Sequence, residues 1–151
     1  MKLCIKKSVT LIFILFTFLP LLAQTVNASD SIEAEFNKIS KEYQNAYMNA
    51  NCEVLMPYLS EDLVIFENGE YWPYEKVKTY CPKIPVKPVL STDRAYKIIS
   101  DTMVYEFVSQ MYQRQEGSQF NETASRLWEY NDGSWKIIQM DISRYPIKIE
   151  N

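Results

Sequence analysis

The stretch Glu122-Thr123-Ala124-Ser125-Arg126-Leu127-Trp128-Glu129-Tyr130-Asn131-Asp132-Gly133-Ser134-Trp135-Lys136-Ile137-Ile138 decides the fold. Two runs rich in aromatic and β-branched residues flank Asp132-Gly133, and Asp-Gly between such runs is the chemistry of a tight hairpin turn. The stretch therefore predicts a strand, a turn and a second strand lying antiparallel to the first. Carried out to their turn residues, the two strands run Gln119–Tyr130 and Ser134–Tyr145.

Upstream the same pattern continues. Glu116-Gly117-Ser118 and Ser100-Asp101 are turn residues that bound the strands Thr102–Arg114 and Arg94–Ile99, so four consecutive strands should form an antiparallel meander. Pro82, Pro85 and Pro88 force an extended connector before them. Earlier still, Leu63-Val64-Ile65-Phe66 and Tyr71-Trp72 flank Asn68-Gly69, another hairpin. The chain has 3 glycines, and all fall at predicted hairpins. Residues 30–50 read as an amphipathic helix, because Ile32, Phe36, Ile39, Tyr43 and Tyr47 recur at helical spacing. Asp30 with Glu33 resembles a capping box at its start, and Asn49-Ala50-Asn51 ends it. Glu53–Leu59 and Tyr74–Tyr80 read as short helices. Helices first and long strands afterwards predict an α+β domain whose antiparallel sheet wraps on the first helix.

The first 28 residues read as a leader for export. Lys2, Lys6 and Lys7 precede an apolar run from Val9 to Ala23, and Val26-Asn27-Ala28 offers a signal peptidase site before Ser29. Cleavage after Ala23 is a second option. An uncleaved anchor is the alternative, but the run contains Pro20 and falls short of the roughly 20 apolar residues of a spanning helix. Cys4 precedes the apolar run and is not placed as a lipoprotein anchor. Residues 29–151 then form one domain, secreted or periplasmic, with no membrane contact once the leader is removed.

Charge and composition exclude several functions. The three leader lysines belong to the 16 basic residues, leaving 13 against 19 acidic ones, a net charge of −6 on residues 29–151. Such a chain, without basic runs, is a poor partner for nucleic acid or an anionic membrane. Histidine is absent, which removes the commonest general base and the commonest metal ligand, so neither a metal nor another cofactor is expected. Cys52 and Cys81 remain after processing; in an oxidising compartment they read as a disulfide, the alternative being two free buried thiols. Asn27-Ala28-Ser29 and Asn121-Glu122-Thr123 are glycosylation sequons, meaningful where the source glycosylates.

The order of a long helix, a short helix, a hairpin, another short helix and a long meander resembles the nuclear transport factor 2-like superfamily. Within it the chain is similar to SnoaL-like and ketosteroid-isomerase-like domains. The residues that carry the resemblance are Tyr43-Gln44-Asn45-Ala46-Tyr47, Leu59-Ser60-Glu61-Asp62-Leu63-Val64, and the stretch from Glu122 to Ile138 with its Asp-Gly-x-Trp-Lys-Ile turn and strand. The resemblance implies a cone-shaped domain whose curved sheet and first helix enclose an apolar cavity, often in a homodimer formed through the sheet. It does not fix an activity, since one such fold hosts isomerases, dehydratases, cyclases and binding modules.

Three residues are candidates for catalysis. By the resemblance, Tyr43 stands where ketosteroid-isomerase-like enzymes carry an oxyanion-binding tyrosine; otherwise it is a core residue of the helix's buried stripe. Glu67 lies one residue from the position of the family's general-base aspartate; otherwise it is a solvated residue at a hairpin end. Asp62 reads as turn chemistry. Asp141 stands where many SnoaL-like relatives have a histidine. Alternation along the last strand groups it with Trp135, Ile137, Gln139 and Ser143, on either the cavity face or the outer face. On the cavity face it could pair with Arg126 or bind a polar group of a ligand. The protonated acid of ketosteroid isomerases has no counterpart, since Thr123 or Ser125 falls at its place.

For the pocket, Met103, Tyr105, Phe107, Ser109 and Met111 alternate along one strand and are expected to face inward with Tyr47, Trp72, Phe120, Arg126 and Trp128. A plain hydrophobic core needs the same residues. The reading that results is an exported domain binding a small, largely apolar molecule in its cone. Proton-transfer catalysis by Glu67 or Asp141 with Tyr43 is the second reading, and a homodimeric interaction module the third.

Overall fold

The computed structural model describes residues 28–83, 88–113 and 117–147. The leader read over residues 1–28 lies outside them apart from Ala28, as does the Asn27 sequon.

Helix α1 runs Ala28–Met48. It begins two residues before Asp30, so Asp30 occupies the first turn and not the capping position. Its apolar stripe buries Phe36, Tyr43, Ala46, Tyr47 and Met48. Ala50 takes a positive φ of 54° just beyond the helix end, where the chain turns away. Helix α2, Cys52–Leu55, is capped by the Asn51 side chain, which accepts from the Val54 amide at 3.3 Å. A 3₁₀ turn over Met56–Tyr58 completes the segment predicted as one short helix; Pro57 there lacks the N–H that a continuing helix would donate. Strands β1 (Leu59–Glu67) and β2 (Glu70–Pro73) form the predicted hairpin around Asn68-Gly69, both at positive φ. Helix α3 spans Tyr74–Tyr80 as read from sequence, and a disulfide joins Cys81, in the 3₁₀ turn after it, to Cys52.

The meander follows as β3 (Val89–Ser100), β4 (Met103–Gln113), β5 (Gln119–Asn131) and β6 (Ser134–Pro146). The six strands form one curved sheet in the order β2-β1-β6-β5-β4-β3. All neighbours are antiparallel except β1 and β6, which run parallel, so the sheet is mixed and not wholly antiparallel. The core lies between α1 and the inner face, where Phe36 and Tyr43 meet Trp128 edge to face at 5.6 and 5.5 Å.

Two details of register decide which side chains face inward. In the β4–β5 hairpin, Val104 pairs with Trp128, Glu106 with Arg126, Gln110 with Glu122 and Tyr112 with Phe120. These are the inner residues of β4, so Met103, Tyr105, Phe107, Ser109 and Met111 occupy the outer face, with Tyr105 and Phe107 44% and 42% exposed. The expectation that they line the interior is corrected. In β6, Trp128 faces Ile137 while Leu127 faces Gln139, so Ile138 is an inserted residue, a β-bulge. Trp135 and Ile137 point inward before it, Met140 and Ile142 after it. Asp141 therefore leaves the face of Trp135 and stands exposed on the outer side, opposite Ser125.

Candidate functional site

The interior of this fold is polar along its length. Glu106, Glu122, Arg126, Gln110 and Ser40 are each at most 2% exposed, among aromatic side chains. Burial at this depth is tolerated only where every charge is paired and hydrogen-bonded.

Glu106 is the hub. One carboxylate oxygen accepts from the Ser40 hydroxyl and lies 3.8 Å from Arg94 Nη1; the other accepts from Arg126 Nη1 at 3.2 Å and Trp128 Nε1 at 3.0 Å. Arg94 in turn donates to Ser40 Oγ at 2.6 Å and to Asn37 Oδ1. From Arg126 the chain of bonds continues to Gln44 Oε1 at 2.8 Å, then from Gln44 to Gln110 and from Gln110 to Glu122. Glu122 also accepts from the Tyr47 hydroxyl at 2.9 Å and from Arg144 Nε. Arg144 reaches the Tyr47 oxygen at 2.7 Å and ends on Glu67. The network thus pairs Arg94, Arg126 and Arg144 with Glu106, Glu122 and Glu67, three cations against three anions. It surfaces at Arg94, 17% exposed, and at the Arg144–Glu67 pair, 20% each.

Among the described residues three buried side-chain donors lack a hydrogen-bond partner: Arg126 Nε, Trp135 Nε1 and Trp72 Nε1. The Tyr43 hydroxyl donates to no described group, although its ring is enclosed by Tyr47, Tyr58 and Trp128 and lies 4.7 Å from the Arg126 guanidinium. Burial pushes the Tyr43 hydroxyl well above the usual tyrosine range, against the opposing pull of Arg126. Tyr47 is shifted the same way, by burial first and by Glu122 second. Both phenols are held neutral, as donors.

The candidates read from sequence fall into three places. Tyr43, Tyr47, Arg126 and Trp128 are together in the interior, and Trp72 and Phe120 are half-buried at its margins. Glu67 is at the open end of the network, paired with Arg144. Asp141 is on the outer face, as are Tyr105, Phe107 and Met111, so Asp141 and Arg126 diverge. Tyr43, Glu67 and Asp141 do not share a site. Sequence reading missed Ser40, Gln44, Arg94, Glu106, Gln110, Glu122 and Arg144.

A separate open groove of about 660 Å³ lies beside the disulfide, lined by Cys52, Glu53, Ser60, Glu61, Asp132 and Lys136 among others. None of the catalytic or pocket candidates lines it. Lys136, its cation, donates to the Pro57 carbonyl.

No protein-family model and no curated protein matches the chain. Solved structures do match in fold. An NTF2-like protein from Cytophaga hutchinsonii ATCC 33406 superposes with a TM-score of 0.59 at 20% identity, covering 74% of this chain and 96% of that one. An NTF2-like protein of unknown function from Pseudomonas putida KT2440 gives 0.64 at 10% identity, covering 75% and 86%. A provisionally assigned scytalone dehydratase from Novosphingobium aromaticivorans DSM 12444 gives 0.59 at 12%, covering 82% and 92%.

Proposed function

We propose that this chain, which has the nuclear transport factor 2-like fold, is an exported module that binds a small, largely apolar molecule between α1 and the inner face of its sheet. The observation that carries the reading is Arg126 Nε, a buried donor without a partner whose guanidinium lies 4.7 Å from the Tyr43 ring among further aromatic side chains. A buried donor without a partner is costly, and an acceptor atom on an otherwise apolar ligand would relieve it. Export is supported by the Cys52–Cys81 disulfide, a bond of oxidising compartments. Among the described residues no helix is long and apolar enough to cross a membrane.

Binding is favoured over proton-transfer catalysis, the activity suggested by the name of the dehydratase-like structure. A general base needs a carboxylate free to take a proton from substrate. Here Glu106 and Glu122 are held by several donors each, Glu67 is paired with Arg144, and Asp141 is on the other face of the sheet.

The test is to purify residues 29–151, extract them with organic solvent and identify what is released by mass spectrometry. A molecule at near-equal stoichiometry, lost from Tyr43→Phe and retained by Asp141→Asn, is the expected result. A protein that yields nothing, and whose Tm is unmoved by a panel of small apolar ligands, would overturn the reading.

A second reading concerns assembly. We propose that the outer face of the sheet pairs two copies of the chain. A row of outer residues crosses all six strands in register, from Tyr71 through Phe66, Asp141, Ser125 and Phe107 to Ala95. Its aromatic members are 51%, 42% and 42% exposed. Light scattering of the purified domain tests it: a dimer supports the reading and a monomer at all concentrations removes it.

A further inference from the structure

From the wiring of the polar network we infer that the ligand is a carboxylic acid, and that Glu67 is an internal stand-in for its carboxylate on Arg144. The inference rests on the ligand-binding reading and names the chemical class of the ligand.

The members of the network are unequally held. Glu106 accepts from Ser40, Arg126 and Trp128, and Glu122 from Tyr47, Gln110 and Arg144; both are at most 1% exposed. Glu67 accepts from Arg144 alone among the described residues. It is the last residue of β1, next to the Asn68-Gly69 turn, and it reaches solvent. It is therefore the one anion of the three that can swing away without leaving a buried charge behind on its own side. Its partner cannot follow. Arg144 is anchored by Nε on Glu122 and by Nη2 on the Tyr47 oxygen, while its backbone amide donates to Asn68 Oδ1 at 2.8 Å.

If Glu67 turned outward unreplaced, Arg144 would be left with a guanidinium edge unmatched at the rim, and the balance of charges would fail. An incoming carboxylate restores both. It meets the Nη1 donor that Glu67 vacates, and a guanidinium fork is the preferred geometry for such an anion. Entry of a neutral group leaves Arg144, among the described residues, with Glu122 as its sole anion. Entry of a second cation is opposed by Arg144 directly. Beyond Arg144 lies Tyr47, stacked on Tyr43 at 6.4 Å, and then Trp128, buried rings against which an apolar remainder would have to pack. Glu67 thus competes for the site it guards, and the molecule admitted is one that outcompetes it.

The experiment compares benzoate with its neutral isostere benzamide on three proteins: wild type, E67Q and R144K. Binding is followed by the NMR resonance of the Arg144 side-chain Nε–H in the first two, and by backbone amides in all three. The inference expects benzoate to shift the Arg144 resonance and to bind E67Q roughly fivefold more tightly than wild type, the strength of a partly exposed ion pair. Benzamide should do neither, and R144K, which keeps the charge but loses the fork, should bind benzoate more weakly. Equal binding of the amide, or benzoate affinity unchanged by E67Q, would overturn it. E67Q changes a residue at the rim, so a folded protein is expected whatever R144K does. Failure here is distinguishable from failure of the binding reading: a neutral molecule extracted from the wild type would sink the acid and keep the module.

Discussion

Glu106 and Arg126 stand directly opposite each other on β4 and β5, and their side chains meet at 3.2 Å with 0% and 2% exposure. The pair is formed in register across a single hairpin. A buried pair of this kind stabilises little against an apolar replacement of both partners, but removing one partner strands the other.

Glu106→Gln should therefore destabilise the domain by about 3–5 kcal/mol. The double variant Glu106→Leu with Arg126→Met should cost less than the two single changes added together, since no unpaired charge remains. Urea titration of wild type, Glu106→Leu, Arg126→Met and the double variant measures the coupling. Strict additivity would mean that the two groups do not depend on each other.

Alkaline pH should weaken the fold through Tyr43 and Tyr47. Both phenols are pushed above the usual value of 10.0, chiefly by burial. Below that value folded and unfolded chains are equally protonated, and stability is complete. As the pH rises through it, the unfolded chain gives up protons that the folded one retains, so the unfolded state binds fewer and stability falls. Each group contributes a slope of about 1.4 kcal/mol per pH unit at most. Tyr43→Phe should remove one share of that slope between about pH 10 and about pH 12, at little expense near neutrality because the hydroxyl makes no hydrogen bond. Urea midpoints across this range decide it; an unchanged slope would show that Tyr43 ionises freely in the folded state.

The elements of this fold were legible because their punctuation is local. Asn68-Gly69, Gly117 and Asp132-Gly133 all take the positive φ that their turns require. What failed was the assignment of faces, for two reasons. The first is register. The hairpin pairs Glu106 with Arg126 and Val104 with Trp128, even numbers with even numbers. Placing Arg126, Trp128 and Phe120 inward therefore required Glu106 and Gln110 inward too, and Tyr105 and Phe107 outward. Choosing the more apolar set of β4 for the interior broke that rule, because hydrophobicity misleads where the core itself is charged. The second is the bulge at Ile138, which shifts the alternation of β6 by one and carries Asp141 outside. No turn residue or glycine marks it. The parallel pairing of β1 with β6 joins segments about 75 residues apart, such as Phe66 and Asp141, and left no local trace either.

The disulfide is a third point of test. Cys52 and Cys81 are 29 residues apart and enclose the β1–β2 hairpin and α3, so the bridge restrains the part of the sheet that carries Glu67. In the chain-entropy account a loop of this length is worth about 3–4 kcal/mol. Replacing both cysteines by serine should lower the urea midpoint accordingly. It should also raise amide exchange in residues 59–80 more than in β4 and β5. A uniform increase across the sheet would instead mean that the domain opens as one unit.

The outer face supplies the last test, and it separates assembly from binding. Phe107 and Tyr105 are exposed on β4, in rows that lead to Phe66 and Val64 on β1 through Asp141 and Gln139 on β6. Isolated apolar residues on a surface are ordinary, whereas rows spanning a sheet are what the proposed pairing of two copies would cover. Phe107→Glu adds a charge at the middle of that face without touching the interior network, since its Cα partners Ala95 and Ser125 are also outer residues. The variant should keep the Tm of the monomeric unit and its bound molecule while shifting the domain from dimer to monomer in light scattering. If the molecular mass does not change, the aromatic rows have another role and the second copy is not their partner. If the molecule is lost together with the partner, the two faces are coupled through β4, where Glu106 and Phe107 are neighbours on one strand.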